Sequence, residues 1–163
     1  MSHQHIRIDF ETFASSSELN AEDQIVLDKA RSATGNAYAP YSNFQVGAAA
    51  RLLNGEVVTG SNQENAAFPA GLCAERVMLS AISSLYPEIA IAVIAVSYQQ
   101  PGSQSVEPIA PCGVCRQTLQ EYEFRGKQPI RLILSGMEGK VVVFSSVSEL
   151  LPFAFTKQAM KQL

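Results

Sequence analysis

The sequence predicts an α/β fold in layers around a mixed sheet. Helical and strand patterns follow one another in the order helix, hairpin, helix, strand, helix, strand, strand. Residues 89–98 are almost continuously apolar, as expected of a central strand covered on both faces. With 163 residues and 47% apolar side chains, the chain can form one domain with a proper core, and we assign it to residues 21–163.

Residues 1–20 are predicted to form a leader that precedes this domain. Residues 6–11 alternate apolar and polar side chains, which predicts a short strand at a sheet edge. The serine-rich residues 14–20 predict a linker. Asn20 then caps a helix over residues 21–35, since acidic side chains follow it in the first turn. The buried side of this helix is predicted to carry Ile25, Val26, Ala30 and Ala33.

A β-hairpin follows the first helix. Residues 45–53 and 56–60 have strand character, and the Asn54-Gly55 pair between them favours a type I′ turn. The second strand leads directly to Asn62 and Glu64. Polar residues at a strand end beside a helix are well placed to bind a ligand.

The remaining elements alternate helices and strands. A helix is predicted over residues 72–85 and a second over residues 112–124, with the central strand and a loop over residues 99–111 between them. Strands over residues 131–135 and 141–145 flank a glycine-rich turn. A helical turn at residues 148–151 and a helical piece after Thr156 complete the chain.

Composition argues against several classes of function. A net charge of −3 with scattered lysines and arginines gives no electrostatic basis for binding nucleic acid. The sequence contains neither a long apolar run for a membrane span nor a signal-peptide pattern. Free thiols suit a reducing compartment, so we expect a cytoplasmic protein.

The cysteines predict a metal site. Cys112 and Cys115 form a Cys-x-x-Cys at a helix start, where the helix dipole favours thiolates. Cys73 stands at the start of the other helix. Three thiols are an odd number for disulfides and suit one zinc ion. Because no fourth cysteine exists, the site is predicted to keep an open position, as catalytic zinc does.

Charged residues directly follow the cysteines. Glu75 lies two residues after Cys73 and could either complete the metal site or carry protons to and from a bound water. Arg76 and Arg116 could draw charge from the thiolates as neighbours of the metal ligands. The alternative for both arginines is an ordinary solvated helix face.

The chain resembles the small homotetrameric cytidine deaminases. The resemblance lies in residues 39–49 (APYSNFQVGAA), 62–76 (NQENAAFPAGLCAER) and 111–117 (PCGVCRQ), and in the late segment of residues 150–152 (LLP) with Phe155. It implies a three-layer α/β/α fold with five core strands. It also implies one zinc ion per chain, held by Cys73, Cys112 and Cys115, and hydrolysis of cytidine and 2′-deoxycytidine in pyrimidine salvage.

The same resemblance implies roles for further residues. Glu75 would carry protons between water, the pyrimidine N3 and the departing amine. Asn62 and Glu64 would bind the ribose hydroxyls, Phe44 would pack against the pyrimidine, and the Ala74 backbone N–H would contact the ring edge. Phe155 would reach the pyrimidine pocket of a neighbouring subunit in a homotetramer. In this family tyrosine is common at the position of Phe68.

Two other functions remain open on sequence alone. A deaminase of another amino-heterocycle, such as blasticidin S, would share the zinc motifs, although the Asn62 and Glu64 pair favours a ribose. A noncatalytic, zinc-stabilised binding protein would need neither Glu75 nor an open metal position. A polynucleotide deaminase would require a basic and aromatic surface, which the sequence lacks.

Overall fold

One mixed sheet of six strands forms the middle layer of the protein. The structure is a computed structural model that describes residues 1–160. The strands are β1 (Glu11–Phe13), β2 (Gln45–Leu52), β3 (Val57–Ser61), β4 (Ile91–Gln99), β5 (Arg131–Ser135) and β6 (Val141–Phe144), in the spatial order β1-β6-β5-β4-β2-β3. Among these six strands, only β4 and β5 pair in parallel. The predicted α/β class is therefore confirmed, with six strands instead of five.

Helices cover both faces of this sheet. Helix α1 (Ala21–Ala33) packs on one face, chiefly against β2 and β4, while α2 (Ala74–Leu85) and α3 (Gly113–Gly126) lie on the other. Neighbouring strand residues point into opposite cores because side chains alternate along a strand. Ala49 and Ala95 face the α1 side, whereas Ala48 and Val96 face the α2 and α3 side. Because side chains alternate along each strand, the sheet has two buried faces, and a layer of helices covers each of them.

Two glycines let the helices lie close to the sheet. A Cβ on Gly47 would stand 2.1 Å from the Ala30 carbonyl oxygen of α1. A Cβ on Gly60 would stand 2.5 Å from the Met78 nitrogen and 2.6 Å from the Ala74 oxygen of α2. The backbone of β3 therefore sets the position of α2, the helix that follows Cys73.

The leader contributes the sixth strand, but not where the sequence predicted it. Residues 1–10 carry no regular secondary structure, and β1 pairs through Glu11–Phe13 with Val141–Val143 of β6. Arg131 donates hydrogen bonds to the carboxylates of Glu11 and Asp23, which ties β1 to the start of α1. The predicted strand at residues 6–11 was wrong because the free edge of β6, not local alternation, fixes the pairing.

Two further local predictions are wrong, one on packing and one on the conformation of a turn. Ile25 is 56% exposed, and Leu27 occupies the buried side of α1 together with Val26, Ala30 and Ala33. In the β2–β3 hairpin only Gly55 has a positive φ, at +89°, and its N–H donates to the Leu52 carbonyl. This is a three-residue loop with glycine at the left-handed position, not a type I′ turn.

The other elements lie close to their predicted positions. The loop over residues 100–112 links β4 to α3, and a 3-10 helix at Val147–Leu150 precedes a short helix α4 (Lys157–Met160). The end of the C-terminal piece predicted after Thr156 lies outside the described residues. Within residues 1–160, no helix is long and apolar enough to cross a membrane.

Candidate metal centre and substrate pocket

Two helix starts bring three sulfur atoms together. Cys73 is the N-cap residue of α2, Cys112 is the N-cap residue of α3, and Cys115 lies in the first turn of α3. The three Sγ atoms all lie within 4.8 Å of one another, and those of Cys73 and Cys112 are 3.7 Å apart. Neither N-cap side chain makes a capping hydrogen bond to its own helix. Both thiols are therefore available to a shared ligand.

The spacing of these sulfurs fits a tetrahedral zinc ion. Zn–S bonds of about 2.3 Å with tetrahedral angles place two sulfur ligands about 3.8 Å apart. The Cys73–Cys112 distance of 3.7 Å agrees with this value. A disulfide would need about 2.05 Å, and all three cysteines are free. Thiolate ligands are also the kind that zinc prefers.

The thiols of Cys73 and Cys115 differ in acidity. The hydrogen bond with Cys115 lowers the pKa of Cys73 to about 6, although burial of Cys73 opposes this shift. The same hydrogen bond, together with burial, raises the pKa of Cys115 above its ordinary value. Cys73 thus ionises before Cys115, and the Cys115 thiol donates the hydrogen bond between them.

Glu75 is a buried carboxyl group beside the sulfurs. It is the second residue of α2 and is only 4% exposed. Burial raises its pKa, while hydrogen bonds from its own backbone N–H and from the Cys115 thiol partly oppose that shift. A carboxyl group in this setting can hold a proton or release it, which is the property required of a general acid and base.

The two arginines next to the cysteines have different surroundings. Arg116 donates from Nε to the Pro111 carbonyl at 2.8 Å and from Nη1 to the Leu150 carbonyl at 3.3 Å. Its guanidinium therefore fixes the backbone just before Cys112. Arg76 is half-buried at the start of α2. The hydrogen bond with Cys115 has the largest effect on the pKa of Cys73, and the charge of Arg76, which lowers that pKa, has the smallest.

Asn62 and Glu64 brace the loop before β2. The Asn62 side chain accepts a hydrogen bond from the Val46 N–H at 2.7 Å and donates one to the Phe44 carbonyl at 2.9 Å. Glu64 Oε2 accepts hydrogen bonds from the Tyr41 and Ser42 N–H groups at 2.8 and 3.3 Å. Hydrogen bonds from the Ser42 hydroxyl and the Tyr41 N–H lower the pKa of Glu64, so it stays ionised at neutral pH.

A cavity of about 290 Å³ connects these residues to Cys73, one of the three cysteines. Its walls include Asn62, Glu64 and Cys73 together with the aromatic residues Tyr41 and Phe68, whose rings meet edge to face at 6.0 Å. Larger cavities exist elsewhere, but no cysteine lines them. This cavity therefore links the sulfur cluster, through Cys73, to polar side chains that could bind a ligand.

Three of the five predicted substrate-binding residues lie outside the walls of this cavity, as do Glu75, Cys112 and Cys115. Ala74 is completely buried at the first position of α2. The Phe44 ring stacks on Tyr98 with ring centroids 5.0 Å apart. Phe155 is 63% exposed, and its backbone pairs with the Gln117 side chain.

The sequence did not predict Tyr41 in the cavity wall or Gln117 beside Phe155. Both residues lie inside motifs that carry the family resemblance, at residues 39–49 and 111–117. Their placement depends on contacts between distant segments. Only the motif membership could have drawn attention to them.

A sheet flanked by helices that present three thiols at their first turns, next to a buried glutamate, defines a zinc-type metalloenzyme site. Comparison with known proteins agrees. Residues 20–127 match the family model of the cytidine and deoxycytidylate deaminase zinc-binding region. The chain belongs to this deaminase family, and it is an enzyme of that kind.

Individual relatives match over most of their length. A cytidine deaminase from Halalkalibacterium halodurans is 37% identical over 142 residues, which cover 84% of this chain and 96% of that protein. A cytidine deaminase from Sporosarcina psychrophila is 34% identical, covering 82% of this chain and 90% of that protein. The crystal structure of a cytidine deaminase from Burkholderia pseudomallei superposes with a TM-score of 0.68 at 42% identity, covering 80% and 97% of the two chains.

Proposed function

We propose that this protein hydrolyses cytidine and 2′-deoxycytidine to uridine and 2′-deoxyuridine and releases ammonia. The main observation is the buried Glu75 carboxyl group beside three sulfurs, one of which belongs to Cys73, a residue that lines a cavity together with Asn62 and Glu64. Membership of the deaminase family and the names of the relatives support the same reaction. Its products would enter pyrimidine salvage.

Cys73, Cys112 and Cys115 would hold one zinc ion per chain. When bound, such an ion lowers the pKa of a water molecule and so supplies a nucleophile near neutral pH. Arg116 would keep Cys112 in position through its hydrogen bond to the Pro111 carbonyl. Arg76 would add positive charge near Cys73 and so favour the thiolate.

Glu75 would carry the protons of the reaction. Its carboxylate accepts a proton from the attacking water and donates it to the pyrimidine N3, which makes C4 electrophilic. A second proton from the attacking oxygen passes through Glu75 to the departing amine. The C4–N bond then breaks, so that water and cytidine yield uridine and ammonia. Burial suits this role because it raises the pKa of Glu75 and so favours the protonated carboxyl group that donates to the substrate.

The cavity would bind the nucleoside through its sugar. The Asn62 amide keeps a second N–H after its hydrogen bond to Phe44, and Glu64 keeps Oε1 after pairing through Oε2. These groups would bind the ribose hydroxyls. Phe44, backed by Tyr98, would pack against the pyrimidine, and the Ala74 N–H would contact the ring edge.

The substrate would be a nucleoside without a phosphate. The residues described as lining the cavity include Glu64 but neither lysine nor arginine. An ionised carboxylate repels a phosphate group, and no cation is available in these walls to compensate. Cytidine would therefore be preferred over CMP.

A homotetramer would complete the site. Phe153 and Phe155 are 89% and 63% exposed in a single chain. Large exposed aromatic side chains close together are typical of a surface that another chain covers. Phe155 would reach the pyrimidine pocket of a neighbouring copy.

Free thiols at the metal site favour a cytoplasmic location.

The decisive experiment is an absorbance assay with cytidine, 2′-deoxycytidine, CMP, cytosine and blasticidin S. We expect turnover of the two nucleosides above all others. The Glu75→Gln variant should lose at least about 10²-fold in kcat while it keeps zinc and its melting temperature. Preferential turnover of blasticidin S would replace the proposed substrate. Zinc binding without turnover of any compound would make the protein a noncatalytic zinc protein.

A further inference from the structure

Helix α3 contacts the chain that follows β6 through three of its own side chains. Glu123 accepts hydrogen bonds from the Val147 N–H at 3.1 Å and from the Ser146 hydroxyl at 2.7 Å. Arg116 donates to the Leu150 carbonyl at 3.3 Å. Gln117 makes the last of these contacts, at Phe155. The helix that starts with Cys112 therefore holds this later segment at successive points along its backbone.

The contact at Phe155 has two hydrogen bonds. Gln117 Nε2 donates to the Phe155 carbonyl at 2.8 Å, and the Phe155 N–H donates to Gln117 Oε1 at 3.2 Å. A side-chain amide that pairs with both backbone groups of one residue fixes the orientation of that residue, as a neighbouring strand would. The Phe155 side chain remains 63% exposed. Its backbone is thus anchored while its ring projects from the surface.

We infer that Gln117 is a positioning residue, which holds Phe155 in the orientation it needs to reach a second copy of the chain. This inference rests on the proposed function, in which Phe155 completes the pyrimidine pocket of that copy. A Phe155 anchored in advance has less conformational freedom to lose when subunit and substrate meet its ring. Gln117 itself does not line the cavity that contains Cys73, so it would act only through Phe155.

The test uses a substitution that removes both hydrogen bonds but keeps the length of the side chain. Gln117→Met should speed hydrogen exchange at the Phe155 amide and raise KM for cytidine, each by about tenfold, since two hydrogen bonds to an exposed segment are lost. kcat, zinc content and melting temperature should stay near those of the unaltered enzyme. Glu121→Met is the matched control, because Glu121 is exposed on the same helix and should change none of these values.

A double-mutant cycle separates positioning from a merely structural role. If Gln117 acts through Phe155, Gln117→Met should not raise KM further when Phe155→Ala is already present. An equal rise in both backgrounds would overturn the inference, as would unchanged exchange and unchanged KM in the single variant. Hydrogen exchange does not depend on activity. If exchange rises while neither Gln117→Met nor Phe155→Ala alters KM, the role of Phe155 in the proposed site is wrong, and the positioning role falls with it.

Discussion

Gly60 fixes the distance between β3 and α2, and Gly60→Ala should disturb both stability and activity. The added Cβ would stand 2.5 Å from the Met78 nitrogen and 2.6 Å from the Ala74 oxygen. Non-bonded heavy atoms prefer roughly 3.5–4.0 Å, so the start of α2 must move by about 1 Å. Overpacking of this kind costs about 1–3 kcal/mol. In a chain of this size, such a loss lowers the melting temperature by about 2–12 °C.

The displacement would also reach the active site. Ala74 and Met78 lie in the helix whose first turn carries Glu75 and whose N-cap is Cys73. A shift of about 1 Å in catalytic groups can cost about 10²-fold in rate. We therefore expect kcat/KM for cytidine to fall by about 10–100-fold even well below the melting temperature, where the protein stays folded.

Thermal unfolding, zinc content and cytidine turnover test this prediction together. Gly35→Ala is the matched control, because a Cβ at Gly35 meets no atom within 4 Å, and it should leave all three measurements unchanged. The reasoning would be refuted by a Gly60→Ala protein that melts and turns over like the unaltered enzyme. A loss of stability with normal kcat/KM would show that the metal helix does not depend on this contact.

Three further results are expected. Elemental analysis should find one zinc per chain. Cys112→Ser should lose the metal, because two thiolates and a hydroxyl bind zinc more weakly than three thiolates. A full complement of zinc in that variant would contradict the proposed ligands. Phe155→Ala should raise KM for cytidine more than it lowers the melting temperature, since its ring is 63% exposed in one chain; a fully active monomer in sedimentation would rule out the shared site. The kcat/KM for cytidine should exceed that for CMP by at least about tenfold, because Glu64 repels a phosphate. Glu64→Gln should reduce this ratio of the two kcat/KM values. Equal kcat/KM values for cytidine and CMP in the unaltered enzyme would exclude the proposed pocket.

The metal-site geometry follows closely from short sequence patterns. Cys-x-x-Cys at a helix start needs only local backbone geometry to bring two sulfurs together, and Cys73 is the N-cap of a strongly amphipathic helix. The central strand was equally predictable, because a nearly continuous apolar run has few other solutions. The catalytic and binding roles of these residues remain predictions.

Features that depend on distant partners were not predictable. The register of β1 depends on the free edge of β6, about 130 residues later in the chain. Ile25 was placed on the buried side with its apolar neighbour Val26, yet the helix turns Ile25 to solvent. The hairpin turn follows from the strand twist and a local bulge as well as from its Asn-Gly pair. The Gln117–Phe155 pairing joins residues 38 positions apart, and no local pattern announces it.

Helix α3 divides the surrounding sequence into parts that can and cannot change in length. Its first turn presents Cys115, and the next residues reach the Leu150 and Phe155 backbone. One residue inserted between Cys115 and Gln117 would rotate everything after it by about 100° around the helix axis. The loop before α3 is anchored at Ser105, which packs against Gly136, and at Pro111, whose carbonyl Arg116 holds, but the helix does not fix the lengths of the stretches before and between these two anchors. Natural variants of this enzyme should therefore gain or lose residues in that loop and preserve the spacing from Cys112 to Gln117.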